Sequence, residues 1–277
     1  MVFKFKNFFK VSVVFGLTQV LGIYAAYNLL PQFLGSVNEL GFDDWSWYDF
    51  LILAVFFFVF VFVTSKFKKG GSIFFKIILS ILIFSGSRII FSVWAVSYWP
   101  MLIALFVVIV FWLMRNVFTH NLVMILTISG IGASVGLLFE PVSVVYLLIA
   151  FSFYDIISVY KTGHMIKLAK AMMESRAIFG FVIPEEGRST RDKISQVTPG
   201  QGFMILGSGD VVFPLLLSVS LLSISIFQAC VVAIFSVVGL FLMHTIFNNQ
   251  KTRRPMAALP PISLMTICGY LISLVLK

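Results

Sequence analysis

The chain reads as long apolar runs separated by short polar intervals. A helix needs about 20 apolar residues to cross a bilayer. On that measure nine candidate spans stand out, near 11–30, 48–65, 73–93, 97–114, 120–139, 142–160, 202–223, 225–247 and 257–276. Arg88 interrupts the third, and the boundary around 93–100 is soft. The first span follows Lys4, Lys6 and Lys10, as a signal peptide would. Its apolar run is too long for a typical signal-peptide core, so it reads as a retained helix. The pattern predicts an all-α polytopic membrane protein with about nine transmembrane helices. Helices one to six occupy 1–160, a polar connection occupies 161–201, and helices seven to nine occupy 202–277.

The connection has structure of its own. Over 164–176, Met165, Leu168, Ala169 and Met172 share one helical face and Lys167, Lys170 and Glu174 another, which predicts an amphipathic surface helix. Ile178–Ile183 is β-branched and aromatic and ends at Pro184, which predicts a short edge strand. With no partner evident, that strand is expected to order only beside a bound substrate. The following EEGRSTRDK reads as a solvated loop.

Composition agrees with a membrane protein. Hydrophobic residues make up 60% of the chain, charged residues 11%, and mean hydropathy is +1.05, whereas soluble domains carry about 25% charge. Charge also orients the chain. With the N-terminus cytoplasmic and the spans alternating, 18 of the 20 basic residues fall inside, leaving Arg88 and Lys277 elsewhere. This positive-inside bias accounts for the net charge of +9 without invoking nucleic acid. The outer 31–49 loop holds Glu39, Asp43, Asp44 and Asp49 beside Trp45, Trp47 and Tyr48. Cys230 and Cys268 both fall in spans and read as small buried apolar side chains.

Candidate chemistry rests on two carboxylates inside spans, Asp155 in the sixth and Asp210 in the seventh. Each costs roughly 2.5–3.5 kcal/mol at the centre of a bilayer, so an intramembrane carboxylate points to function. Two carboxyls in a low-dielectric site tend to share one proton. One can then activate water while the other protonates a carbonyl oxygen, as in aspartic proteases. Gly207 and Gly209 leave room for a helix or a substrate backbone beside Asp210, and Pro214 weakens the helix one turn on.

The surroundings of these aspartates resemble the presenilin and signal-peptide-peptidase family, and the compact loops resemble its archaeal members most. Tyr154-Asp155 matches the family's Tyr-Asp motif, and Gly207-Ser208-Gly209-Asp210 its Gly-x-Gly-Asp motif. Ala258-Leu259 before Pro260 resembles its Pro-Ala-Leu motif. The sequence departs from the pattern at Ser208, where many relatives have Leu, and at Ala257, where Pro is usual. The resemblance implies an intramembrane aspartyl protease with Asp155 and Asp210 catalytic. It implies that Tyr154, Gly207, Ser208, Gly209, Ala257, Ala258, Leu259 and Pro260 face the substrate. It implies no metal and no cofactor, and its partners would be transmembrane protein or peptide substrates in a lipid bilayer. Compact loops favour a prokaryotic cell membrane. An unwound substrate needs new partners for its backbone, and relatives are thought to supply them by strand addition.

Three other readings compete. A proton- or cation-coupled transporter or channel would use the same two aspartates. Their position toward the cytoplasmic ends of the spans, the lack of an internal repeat and the order of the motifs favour the protease. Gly132-Ala133-Ser134-Val135-Gly136 fits a serine-nucleophile pattern with His244 as base, but Gly132 and Gly136 read better as a helix-packing face. No His-Glu-x-x-His sequence exists, and His120 and His164 fall at membrane boundaries, where they are expected to be solvated.

Overall fold

The structure, a computed structural model, describes residues 5–40, 71–185, 187–197, 202–250 and 256–276. The predicted second span, 48–65, lies outside them, as do 41–49 of the acidic loop. The described helices are α1 (Phe5–Leu40), α2 (Gly71–Ser92), α3 (Trp99–Leu113), α4 (Val117–Gly136), α5 (Pro141–Ile156), α6 (His164–Glu174), α7 (Ser208–Ser220), α8 (Ile226–Asn248) and α9 (Leu259–Val275). Two short strands, β1 (Gly180–Pro184) and β2 (Phe203–Gly207), form an antiparallel pair.

Eight of the nine predicted spans thus coincide with described helices, with two differences of extent. The first helix does not stop near residue 30. It continues through Pro31 to Leu40. The seventh span is not helical throughout: its first five residues are β2 and only the remaining 13 residues are helix. At 1.5 Å per residue a helix of that length covers ~20 Å, short of the ~30 Å hydrocarbon thickness.

Helix α4 lies at the centre and packs on α1, α2 and α7. Asn116 caps it, accepting from Thr119 N–H at 2.7 Å. Ser129 Oγ donates to Thr18 O of α1 at 3.0 Å. Gly132 faces Leu215 and Gly136 faces Val219, both on α7. This is the small-residue packing expected where lipid tails compete equally for apolar side chains, and it gives that five-residue pattern a structural role. The outward faces carry large apolar residues such as Val20, Ile73, Phe106, Ile234 and Leu264, as lipid contact demands. Cys230 also lies on an exposed face and Cys268 is half-buried, contrary to the expected burial. An outward face toward lipid is as apolar as a core, so composition did not separate the two.

The amphipathic helix is α6. It turns Leu168, Ala171 and Met172 toward the core, whereas Met165 and Ala169 are exposed. The inner face is therefore rotated from the one read from the sequence.

Candidate active site

Asp155 is the penultimate residue of α5, which continues as a π-helical turn over Ile157–Thr162. Such turns disrupt the regular ladder and are frequent at functional sites. Gly163, at φ 63°, then redirects the chain into α6. The Asp155 side chain is 8% exposed. Its Oδ2 accepts from Leu259 N–H at 3.2 Å, and the Ala258 amide lies close enough to favour this carboxyl electrostatically. Ala257 and Leu259 are buried, and Ala258 and Pro260 half-buried. Pro260 and Pro261 open α9, where the first-turn amides have no helical partners and proline costs little. The segment resembling Pro-Ala-Leu thus lies directly on Asp155.

Asp210 is the third residue of α7, with Gly207 as N-cap. A carboxyl there reaches back to the N-cap amide, and Gly207 N–H donates to Asp210. A methyl group at Gly207 would lie 3.1 Å from Asp210 Oδ2, so the bare backbone is what admits the carboxyl. Pro214, one turn on, has no N–H to give Asp210 C=O. The buried Gln19 of α1 donates to Val211 O at 3.1 Å. Asp155 and Asp210 lie within electrostatic reach of each other, and their helices are joined one turn away by stacked Phe151 and Phe213, 4.5 Å apart. Tyr154 is half-buried beside Asp155, and Ser208 and Gly209 are half-buried beside Asp210.

The strand pair leads straight into Asp210. Ser208 N–H donates to Phe179 O at 3.2 Å, and Gly180 stands opposite Gly207. Antiparallel pairs alternate, so the free backbone groups of Gly180, Val182 and Pro184 point away from β2. Those of Phe203, Ile205 and Gly207 point away from β1. The outer edge of β1 is largely occupied, at its three outward carbonyls and the Val182 amide. Gly180 O meets His120 Nε2 at 2.9 Å, Asn121 donates to Val182 O at 2.7 Å and accepts from Val182 N–H at 2.9 Å, and Lys10 Nζ donates to Pro184 O at 2.8 Å. On β2, Gly207 N–H serves Asp210, and among the described residues no partner meets the outward groups of Ile205.

Two expectations change here. The strand at 180–184 has a partner within the chain and lies wholly buried, so it does not wait for a substrate to order. Its partner was concealed in the apolar run of the seventh span. His120 is 2% exposed and holds a strand carbonyl rather than meeting water. His120, Asn121 and Gln19 were not singled out as parts of the site. The one signal was an adjacent His-Asn pair opening an otherwise apolar span. The side chain of His164 lies outside the description.

The family model for signal-peptide peptidase, presenilin aspartyl protease, matches residues 13–277. Two solved structures of a presenilin family intramembrane aspartate protease, in C222 and P2 crystal forms, superpose with a TM-score of 0.62. Each is 20% identical, with 96% of each chain covered. At that identity the likeness speaks for the fold. A comparison with curated proteins gives no match.

Proposed function

This chain belongs to the signal-peptide peptidase, presenilin aspartyl protease family and is an integral-membrane aspartic endopeptidase, and from that premise we propose that Asp155 and Asp210 are its catalytic pair. The observation that carries the proposal is their convergence. Carboxyls from two separate spans come within electrostatic reach of each other beside an open strand edge, with the Ala258-Leu259 backbone against one of them. Nothing in the family match favours an ion carrier.

The pair holds one proton between its two carboxyls. The ionised member takes a proton from water as the water oxygen bonds to the scissile carbonyl carbon. The protonated member gives its proton to the carbonyl oxygen. The resulting gem-diol gives one hydroxyl proton to the carboxyl that is now ionised as the C–N bond breaks, the departing nitrogen takes the proton of the other carboxyl, and the pair again holds one. No covalent enzyme intermediate forms.

The substrates in this reading are transmembrane helices. A helical substrate shields its carbonyls with i→i−4 bonds and must unwind locally. The open edge over 203–207 offers the freed backbone new partners by strand addition and points it toward Asp210. The outer edge of β1 is closed by His120, Asn121 and Lys10, so the substrate enters on the β2 side. Gly207, Ser208, Gly209, Tyr154 and the 257–260 segment then wall the cleft. With the N-terminus cytoplasmic, this end of the bundle faces the cytoplasm and supplies the water. The bundle end also gathers Lys10, Arg115, the 161–197 connection and Ala257, all assigned to the same side by charge.

A peptide carrying a hydroxyl in place of the scissile carbonyl tests the assignment through binding. It should protect the wild-type chain against thermal unfolding in a saturable way and lose most of that effect in both Asp155→Ala and Asp210→Ala. Equal protection of the variants would remove the pair from the site.

A further inference from the structure

A second polar site lies on the same end of the bundle, away from the aspartates. A cavity of about 540 Å³ opens between the end of α3, the start of α4 and the 176–195 connection. It is lined by Trp112, Leu113, Arg115, Asn116, Arg176, Arg191, Lys193 and Ser195. That volume falls in the range of small-ligand sites, roughly 300–1,000 Å³. Four of the lining side chains are cationic, and among the described residues no Asp or Glu lines it. The neighbouring carboxylate, Asp192, accepts from Ser189 N–H at 3.2 Å instead.

Arg115 is held in place by its side chain, and Arg176, Arg191 and Lys193 lie exposed around it. Arg115 stacks on the Trp112 ring, 4.6 Å from its centroid, and its Nη2 donates to Arg176 O at 2.7 Å. Arg176 terminates α6 in a Schellman arrangement: its N–H bonds to Met173 O, and Ala177 N–H bonds to Met172 O, both at 2.9 Å. It does so at φ 55°, the left-handed conformation that favours glycine. Arginine at that position gains nothing for the backbone, so its side chain has to justify it. Burial and the nearby Arg176 charge hold Arg115 below the usual arginine range. Like charges drawn together without a carboxylate leave room for an anion to bind.

We propose that Arg115, Arg176, Arg191 and Lys193 form a binding site for a phosphate oxyanion, supplied by the headgroup of an anionic phospholipid. The cavity's lip favours a lipid as the source. Leu113 is 77% exposed, Met114 57% and Phe118 60%, an apolar rim on which acyl chains can lie while the phosphate reaches the cations. Guanidinium groups suit phosphate because they give paired charge-assisted hydrogen bonds. The site lies one strand away from the catalytic cleft. Arg176 precedes β1, and Val117 N–H and Phe118 N–H hold the carbonyls of Asp192 and Thr190 at 3.0 and 2.8 Å. An anion bridging Arg115, Arg176 and Arg191 therefore ties the connection that carries β1 to the ends of α3 and α4.

Arg176→Gly is the informative variant, because glycine suits the left-handed backbone and removes only the side chain. Thermal unfolding of the full chain in a non-ionic detergent is followed while dihexanoylphosphatidylglycerol, dihexanoylphosphatidylcholine or inorganic phosphate is added. Wild type should gain stability saturably with the anionic lipid and less with the zwitterionic one. Arg176→Gly should fold as well as wild type but need about tenfold more anionic lipid. Arg191→Gln with Lys193→Gln should behave alike, whereas Lys161→Gln with Lys170→Gln, exposed basic residues elsewhere, should respond as wild type does. A response to inorganic phosphate with none to the lipid keeps the oxyanion site and assigns it to a soluble anion. An unchanged midpoint in Arg176→Gly, equal potency of the two lipids, or an equal loss in the control pair would overturn the proposal.

Discussion

Asp155 and Asp210 come within electrostatic reach of each other by different local devices. Asp155 ends a regular helix and is held by the amide of Leu259, with that of Ala258 close by, on a span more than a hundred residues away in sequence. Asp210 begins a helix and is held by the amide of Gly207, three residues before it. Both devices use backbone N–H groups, which cannot swing away as side chains do. The pH dependence of cleavage follows from the shared proton. The rate should rise to a maximum where the pair holds one proton and fall on either side. On the acid side both carboxyls are protonated and none accepts from water; on the alkaline side both are ionised and none donates. Initial cleavage rates across the pH range, with thermal unfolding followed at each pH, check this. A rate that climbs steadily into alkali would point to a serine nucleophile instead. The two aspartates were legible in the sequence because a carboxylate in an apolar run is conspicuous. Gln19 and His120 were not, because a polar residue in a span has many structural uses and only its partner reveals which.

At the scale of elements, the decisive unit is the β1–β2 pair with its clamp on α4. Asn121 satisfies both outward groups of Val182, and His120 meets Gly180 O. Removing the Asn121 amide leaves two buried backbone groups without partners, at a cost of ~1–3 kcal/mol each. Asn121→Ala should therefore speed hydrogen exchange at Val182 and reduce cleavage severalfold while leaving the helices folded. Unchanged exchange at that amide would contradict the clamp. Val182 is fully buried and its N–H is bonded, so Val182→Pro would damage folding itself. The strand at 180–184 was readable from its β-branched run and terminal proline. Its partner was not, because FMILG is a short apolar run that reads equally as strand or as the start of a membrane helix. Only the pairing decides.

At the scale of the molecule, the helical bundle holds a non-helical strand pair and covers most of it. Such backbone is tolerated where protein encloses it or a water-filled cleft borders it. Here α1, α4 and α7 enclose β1, and the free edge of β2 remains beside the aspartates. The order and number of apolar runs, and the basic bias of one side, carried the helical architecture. The rotation of α6, the length of α1 and the break in the seventh span depend on tertiary contacts that hydropathy does not encode. The central claim is that Asp155 and Asp210 together hydrolyse a peptide bond of a membrane-embedded helix. The direct measurement reconstitutes the full-length chain in liposomes with a single-span peptide and maps the products by mass spectrometry. Wild type should cut within the peptide's apolar segment, and Asp155→Ala and Asp210→Ala, inserted and folded to the same extent, should each give no product. Substantial cleavage by either variant would contradict the account.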